Sequence, residues 1–283
     1  MLRIAIQSKG RLYEESMALL EEAGIKIPGG KRTLLVPARN FPVEVLFLRD
    51  DDIPESVASG VADVGIVGLN EVMEKRCPVG ILKKLGFGKC RLSLAIPQDI
   101  DYQDRNWFSG KKIATSYPGI LSDYLHKNGI VSDIHVITGS VEIAPGIRLA
   151  HAIFDIVSSG STLVSNRLKE VETVVESEAV LIGTDSISPE KRGILDELLF
   201  RFDSVQAADD KKYILMNVPQ KKLNDVLSVL PGIKSPTVMP LADKEWCSVH
   251  TVLDEKCFWE IINRLKMAGA EGILVLDIEK MIL

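Results

Sequence analysis

The sequence predicts an α/β protein with a separate C-terminal domain, on three observations. Short runs of aliphatic and β-branched residues alternate with helical patterns over about residues 1–208, which is typical of a parallel or mixed sheet with helices on its faces. The last seventy or so residues follow another order, β-α-β-β-α-β, which is that of a ferredoxin-like domain. The chain has 283 residues, a length that suits two or three domains.

The strands of the first part are predicted from apolar runs bounded by turn residues. They lie at residues 2–6, 43–48, 64–67, 111–116, 134–138, 152–157 and 179–183. A helix from about Leu12 to Ala23 follows the first strand, and Pro54 opens another. Ser188 and Pro189 are predicted as the N-cap and first-turn residues of a later helix.

The C-terminal domain is predicted from two helices with apolar stripes among four strands. The strands lie at residues 212–218, 237–241, 247–253 and 272–278. The stripes are Leu223, Val226, Leu227 and Leu230 in one helix, and Phe258, Ile261, Ile262 and Leu265 in the other. Asp254 is expected to cap the second helix, and Gly269 to end it. The polar sequence AADDKK, near Ala208–Lys211, predicts a linker.

Composition and charge restrict the class of protein. The net charge is -5, so no broad nucleic-acid surface is expected, and polyanions would need a local concentration of Lys and Arg. No apolar run approaches the roughly 18 residues that a membrane span needs, and the apolar start is too short for a signal peptide. We therefore expect a cytoplasmic protein. The four cysteines lack metal-ligand spacing and predict reduced core thiols.

The most informative segment, DIVSSGST, begins at Asp155, where an apolar strand ends in a carboxylate. The loop offers four hydroxyls around a glycine: Ser158, Ser159, Gly160, Ser161 and Thr162. Glycine lets backbone approach a ligand, and successive N–H groups with hydroxyls make an anion site. The pattern is typical of a 5′-phosphate site, with Asp155 placed for ribose hydroxyls or Mg²⁺. The alternative is a serine-rich strand–turn–helix corner without a ligand.

Three further strand ends carry candidate ligand contacts. Lys9 and Arg11 flank a glycine after the first strand, where α/β proteins bind ligands, although a lone KGR also fits a solvated turn. Arg49 ends the second strand, and the aspartates at 50–52 are expected to cap the helix that follows. Asn70 follows the strand at 64–67, in a position to meet a base or a ribose.

Several motifs in this order resemble those of the ATP phosphoribosyltransferase family in its long form, which carries a C-terminal regulatory domain. They are SKGRLYEES, RDDDIPESVASGVADVGIVG, CRLSLAIP, KKIATSYP, GSVEIAP, DIVSSGSTL, SPTVMPL and GILVLDIEKM. The resemblance covers Leu2 to Met281. It implies a bilobal catalytic part of the type II periplasmic-binding-protein architecture. Its boundaries would be 1–91 with 178–208 for lobe I, 92–177 for lobe II, and 211–283 for the ferredoxin-like domain.

The same resemblance implies the reaction and its partners. The family transfers a 5-phosphoribosyl group from phosphoribosyl pyrophosphate to N1 of the adenine of ATP and releases pyrophosphate, in the first step of histidine biosynthesis. It uses Mg²⁺, forms dimers and hexamers, and is inhibited by histidine at the C-terminal domain. Neither nucleic acid nor membrane is implied as a partner.

Site residues carry over position by position. The resemblance assigns Lys9, Arg49, Glu142 and Asp155 to catalysis, the last two also as candidates for the metal. It assigns substrate binding to Arg11, Arg91, Thr115, Tyr117 and the loop Ser158, Ser159, Gly160, Ser161 and Thr162, and Asn70 joins them on its position at the strand exit. Thr237 of SPTVMPL is the allosteric candidate for histidine, and a plain strand position is the alternative for it. The chain departs from the family at His151, where members tend to carry an acid, and at the variable Leu69.

The chemistry needs little proton transfer. N1 of adenine has no proton to lose before attack, so positioning and electrostatics would supply most of the rate. Two other functions share the architecture: a bilobal binding protein without catalysis, and a non-catalytic regulatory subunit. The phosphate-type loop and the added domain count against the first, and Lys9 together with the loop counts against the second.

Overall fold

The computed structural model describes residues 1–29, 33–231 and 236–282. Its contacts divide the chain into two compact units, residues 1–197 and 198–283. Within the described ranges, no helix combines the length and the apolar character that a membrane span requires.

The first unit contains two sheets with helices on their faces. Its strands are β1 (Leu2–Gln7), β2 (Leu35–Pro37), β3 (Val43–Leu48), β4 (Val64–Gly68), β5 (Gly80–Lys84), β6 (Cys90–Pro97), β7 (Lys112–Thr115), β8 (Asp133–Val136), β9 (Ala152–Val157), β10 (Leu168–Ser177) and β11 (Ala179–Gly183). Its helices are α1 (Arg11–Glu22), α2 (Ile53–Ala58), α3 (Leu69–Lys75), α4 (Pro118–Lys127), α5 (Ser161–Ser165) and the start of α6 (Pro189–Ala208).

Lobe I is built on the sheet with strand order β2-β3-β1-β4-β11-β5. β1 pairs in parallel with β3, from Leu2 opposite Val43 to Gln7 opposite Leu48. The backbone N–H of Ser8 continues this pairing to the Leu48 carbonyl at 2.8 Å. The turn that carries Lys9 therefore leaves the sheet beside the end of β3, where Arg49 follows.

Lobe II is built on the sheet with strand order β10-β6-β9-β7-β8. β7 and β9 are parallel neighbours, with Thr115 opposite Phe154, so the loops after them leave the same sheet edge. Leu92, Leu94 and Phe154 are fully buried in the core of this lobe. The chain passes between the lobes twice, from β5 to β6 and from β10 to β11. The predicted bilobal α/β class is confirmed.

The second unit has the predicted ferredoxin-like order. Its elements after α6 are β12 (Lys211–Pro219), α7 (Leu223–Val229), β13 (Thr237–Pro240), β14 (Trp246–Asp254), α8 (Glu255–Ala268) and β15 (Glu271–Asp277). The strands form an antiparallel sheet in the order β13-β14-β12-β15. The stripe residues Val226, Phe258, Ile261 and Leu265 are buried with the inward side chains of the sheet. The domain boundaries given by the sequence stay predictions.

Two predicted caps stand at the predicted N-cap positions, Asp254 before α8 and Asp52 before α2, but the predicted side-chain capping bonds are absent. Asp254 precedes α8 but makes no capping bond, because its carboxylate is paired with the Lys211 ammonium. The aspartates at 50–52 also lack capping bonds, since Asp51 accepts from Arg49 instead. The predicted cap at Ser188 is confirmed, as its Oγ accepts from the backbone N–H of Lys191 at 3.4 Å.

Candidate active site

The loop after β9, residues 158–162, is named here the serine loop. Gly160 has a φ of 80°, and α5 begins at the next residue. Ser159 and Ser161 share a hydroxyl–hydroxyl hydrogen bond of 3.0 Å. Ser158, Ser159, Ser161 and Thr162 are all exposed. The left-handed residue turns the chain so that hydroxyls and backbone N–H groups are gathered in one short loop, as an anion site requires.

Arg11 connects lobe I to the serine loop. Its Nη1 donates to Ser158 Oγ at 3.2 Å, and its Nε donates to Glu15 Oε1 at the same distance. Lys9 lies exposed in the turn just before α1. The turn with Lys9 and Arg11, called here the basic turn, thus lies against the serine loop of the other lobe. The spacing of these residues in the sequence could not establish this contact.

Arg91 contacts the serine loop from the start of β6, directly after the chain passes from lobe I to lobe II. Its Nε and Nη2 donate to the two carboxylate oxygens of Glu170 at 2.5 Å each, and its Nη1 donates to the Ser158 carbonyl at 3.4 Å. The hydrogen bonds from Arg91 hold the pKa of Glu170 at about 2. Ser93 Oγ also donates to Glu170, at 2.7 Å. The guanidinium is therefore oriented by a carboxylate that sequence reasoning did not identify.

Asp155 and Glu142 form the acidic edge of the site. Burial raises the pKa of Asp155 to about 6, against a hydrogen bond from the Ile156 N–H that lowers it, and the Glu142 charge raises it further. Glu142 lies in a short 3₁₀ turn, Val141–Ile143, that follows the left-handed Ser140. The two carboxylates therefore repel each other in a partly buried place, and a cation that binds to both would relieve this repulsion.

The acidic edge fits Mg²⁺ only if a substrate completes the coordination. In the part of the chain that the structure describes, no group of three or more His, Cys, Asp or Glu side chains could hold a metal ion. Protein-bound Mg²⁺ commonly uses one or two carboxylates with waters and substrate phosphates. Asp155 and Glu142 supply that number of carboxylates, so the donor set suits an ion that arrives with a diphosphate.

Asn70, Thr115 and Tyr117 lie buried where the lobes join. Tyr117 OH donates to Glu71 Oε1 at 2.9 Å and lies 3.3 Å from the donor Asn70 Nδ2. Thr115 Oγ1 accepts from the backbone N–H of Tyr117 at 2.8 Å, and Ser177 Oγ donates to Asn70 Oδ1 at 2.8 Å. Burial raises the pKa of Glu71. In this structure the predicted substrate contacts are joined to one another by hydrogen bonds. Glu71 belongs to the same hydrogen-bond network, and the sequence did not predict it.

The remaining two predicted site residues are Arg49 and Thr237. Arg49 donates to Asp51 Oδ1 at 3.2 Å, and its side chain is 77% exposed, so its guanidinium stays open to solvent beside the basic turn. Thr237, in the second unit, is an exposed residue of β13 opposite His250 of β14. His250 Nδ1 is 2.6 Å from Tyr213 OH.

Comparison with solved structures first defines the class of fold. A substrate-binding protein of an amino acid ABC transporter aligns with a TM-score of 0.50 and 10% identity, covering 73% of this chain and 93% of that chain. At this identity the similarity shows a shared bilobal fold and nothing more. An ATP phosphoribosyl transferase (HisG:HisZ) complex from Thermotoga maritima aligns with a TM-score of 0.61 and 27% identity, covering 71% of this chain and 98% of that chain.

Sequence comparison then gives the family. Residues 49–204 match the profile of HisG, ATP phosphoribosyltransferase, and residues 208–280 match that of the HisG C-terminal domain. An ATP phosphoribosyltransferase of Bacteroides fragilis is 70% identical over 283 residues, which are all of both chains. The chain belongs to the ATP phosphoribosyltransferase family. The prediction of the long form is confirmed. The prediction of a pentosyltransferase of histidine biosynthesis is also confirmed. The alternative, a binding protein without catalysis, is not favoured.

Proposed function

We propose that this chain transfers the 5-phosphoribosyl group of phosphoribosyl pyrophosphate to N1 of the adenine of ATP and releases pyrophosphate. The observation that carries the proposal is the 3.2 Å contact of Arg11 with Ser158. The contact joins a lobe I guanidinium to the serine loop, so the hydroxyl donors and a positive charge that a phosphorylated sugar needs lie side by side.

The serine loop binds the 5′-phosphate of the sugar in this proposal. Ser158, Ser159, Ser161 and Thr162 offer hydroxyls, and the turn at Gly160 brings backbone N–H groups to the same oxygens. Arg91 stabilises the loop. Glu170 orients its guanidinium, which donates a hydrogen bond to the Ser158 carbonyl. The 5′-phosphate anchors the ribose so that C1 lies toward the acidic edge.

The acidic edge and the basic turn act on opposite charges of the transition state. As the bond from C1 to pyrophosphate breaks, positive charge develops on the ribose ring, as in glycoside chemistry, and the Asp155 carboxylate stabilises it. Lys9, Arg11 and Arg49 neutralise the leaving pyrophosphate and the phosphates of ATP. Glu142 and Asp155 would hold Mg²⁺ through one or two oxygens. When bound, the ion offsets the negative charge of the leaving group.

The nucleophile is the N1 lone pair of adenine, which needs no base. The electron pair of the broken bond leaves with pyrophosphate, and N1 becomes bonded to C1 of the ribose. Asn70, Thr115 and Tyr117 shape the place for the adenine and ribose groups. Since Tyr117 and Asn70 are buried together in this structure, they act as a fixed wall of the site.

Regulation and assembly belong to the second unit in this proposal. Histidine binds there as an inhibitor, with the Thr237 hydroxyl as one partner for its polar ends, and copies of the chain associate as dimers and hexamers in the cytoplasm. The sheet face opposite the helices exposes apolar side chains: Met239 at 51%, Leu274 at 56% and Leu276 at 49%. Exposed apolar patches of this kind mark association surfaces.

The reaction is tested directly. Purified protein with ATP, phosphoribosyl pyrophosphate and Mg²⁺ should form phosphoribosyl-ATP, seen as a new ultraviolet-absorbing product, together with one pyrophosphate per turnover. Omitting either substrate is the control. Folded protein that releases no pyrophosphate under any divalent metal condition contradicts the proposal and leaves a binding protein or a regulatory subunit.

Thr237→Ala should raise the half-inhibitory concentration of histidine by roughly tenfold or more, because one hydrogen bond to a charged ligand, about 1.5–3 kcal/mol, is lost. Turnover without histidine should stay near the wild-type value. Thr251→Ala is the matched control, because Thr251 pairs with Ile214 on the face opposite to Thr237 and His250. Equal histidine sensitivity in Thr237→Ala and wild type would remove Thr237 from the effector site.

A further inference from the structure

The C-terminal end of α3, in lobe I, contacts the first turn of α4, in lobe II. Glu74 Oε1 accepts the backbone N–H of Gly119 at 2.8 Å, and Oε2 accepts that of Ile120 at 2.9 Å. The first N–H groups of a helix have no partner inside the helix. Both oxygens of one lobe I carboxylate therefore satisfy the start of a lobe II helix, where its dipole favours negative charge.

The close approach depends on a glycine. A Cβ atom at Gly119 would lie 3.0 Å and 3.2 Å from the two carboxylate oxygens of Glu74, so the carboxylate would have to move by a few tenths of an ångström to accept a side chain there. Arg76 reinforces the contact from the left-handed end of α3, at φ 53°. Its Nη2 donates to the Gly119 carbonyl at 3.1 Å and to Asp123 at 2.7 Å. The first turns of α4 are thus held through two N–H groups, a carbonyl and a side chain.

This contact has a mechanical consequence for the site. The chain passes between the lobes only near β5–β6 and β10–β11 among the described residues, and two adjacent connections allow a hinge motion. The contact of Glu74 with α4 restricts that motion, together with the hydrogen bonds that join Arg11 to Ser158 and Glu71 to Tyr117 across the lobes. Because α4 begins directly after Tyr117, its position also sets that of the loop from Thr115 to Tyr117.

We infer that Glu74 is a positioning residue for phosphoribosyl transfer: it fixes the lobes and the loop before α4 in the geometry that the two substrates need. The expected loss of kcat/KM rests on the proposed function, whereas the expected loosening of the start of α4 does not. A displacement of reacting groups by about 1 Å can cost about a hundredfold in rate. Removal of Glu74 therefore acts on catalysis from outside the substrate contacts.

The experiment is a double-mutant cycle with Glu74→Ala, Gly119→Ala and both together. Glu74→Ala should lower kcat/KM for phosphoribosyl pyrophosphate by about ten- to a hundredfold. Gly119→Ala should lower kcat/KM of the otherwise unchanged enzyme by a smaller factor, because its methyl group displaces the carboxylate without removing it. In the Glu74→Ala background the same methyl group meets no carboxylate, so the second change should cost less than about twofold.

Two further measurements separate positioning from general damage. Glu74→Gln keeps an acceptor oxygen and should recover part of the lost kcat/KM. Hydrogen exchange of the peptide with Gly119 and Ile120, measured without substrates, should accelerate at least about tenfold in Glu74→Ala. Glu55→Ala, at an exposed glutamate of α2, is the matched control and should change neither quantity.

The outcomes are distinct for this inference and for the proposed function. Wild-type protein without product overturns the proposed function, and the exchange measurement still tests the contact. Unchanged exchange and kinetics in Glu74→Ala overturn the inference. So does a Gly119→Ala cost that is equally large with and without the Glu74 carboxylate.

Discussion

Gly160→Val should reduce the affinity for phosphoribosyl pyrophosphate at least about a hundredfold while the protein stays folded. Gly160 has a φ of 80°, and a Cβ there would meet only Val157 Cγ1, at 4.0 Å. The free protein therefore has space for a valine side chain at this position, but the positive φ is a backbone conformation that valine disfavours. A β-branched residue in the left-handed region costs roughly 1–2 kcal/mol, and losing one hydrogen bond to a charged phosphate costs about 1.5–3 kcal/mol.

Calorimetric titration with phosphoribosyl pyrophosphate measures this loss. Gly110→Val is the matched control, because Gly110 has a φ of 69°, no atom within 4 Å of the point where a Cβ would lie, and an exposed position before β7. It carries the same backbone strain without the serine loop, so its affinity should equal that of wild type. Unchanged binding in a folded Gly160→Val variant would show that the substrate phosphate binds elsewhere.

The sequence predicted the parts of the site that are local in the chain. DIVSSGST marks a strand end, a left-handed glycine and a set of hydroxyls within eight residues, and the structure places all of them in one loop. The ferredoxin-like order could likewise be predicted, since each of its helices carries a complete apolar stripe. Such features follow from neighbouring residues, and no knowledge of the packing between lobes is needed.

The missed residues all act across long separations in the chain. Glu170 pairs with Arg91 at a sequence separation of 79, and Glu71 contacts Tyr117 at a separation of 46. On a single sequence each looks like an ordinary surface glutamate. Only the antiparallel pairing of β6 with β10 and the approach of α3 to α4 make them neighbours. The missing capping bonds at 50–52 have a cause that is partly local, because Asp51 pairs with Arg49 two positions away as well as with Lys75 of α3, whose Nζ lies 3.8 Å from Asp51 Oδ2.

The second large effect concerns Asp155, where stability and catalysis should change in opposite directions. Burial raises its pKa from the usual 3.8 to about 6, so the folded chain binds this proton more tightly than the unfolded chain. The stabilisation from protonation is complete below about pH 3.8 and is lost as the pH rises to about 6. At pH 8 the ionised carboxylate therefore costs stability, by about 3 kcal/mol at most before solvent screening is allowed for.

Asp155→Asn removes that charge and keeps an oxygen that accepts the Ile156 N–H, which lies 2.8 Å from Asp155 Oδ1. We expect its unfolding midpoint at pH 8 to rise by several degrees over wild type, and the gain to shrink as the pH falls toward 4. Turnover at saturating substrates should fall at least about a hundredfold, because the ribose loses the carboxylate that meets its developing charge. Asp133→Asn, at an exposed aspartate of β8, should change neither property. A variant that is destabilised at pH 8 would contradict the buried-charge account, and near-normal turnover would remove Asp155 from catalysis.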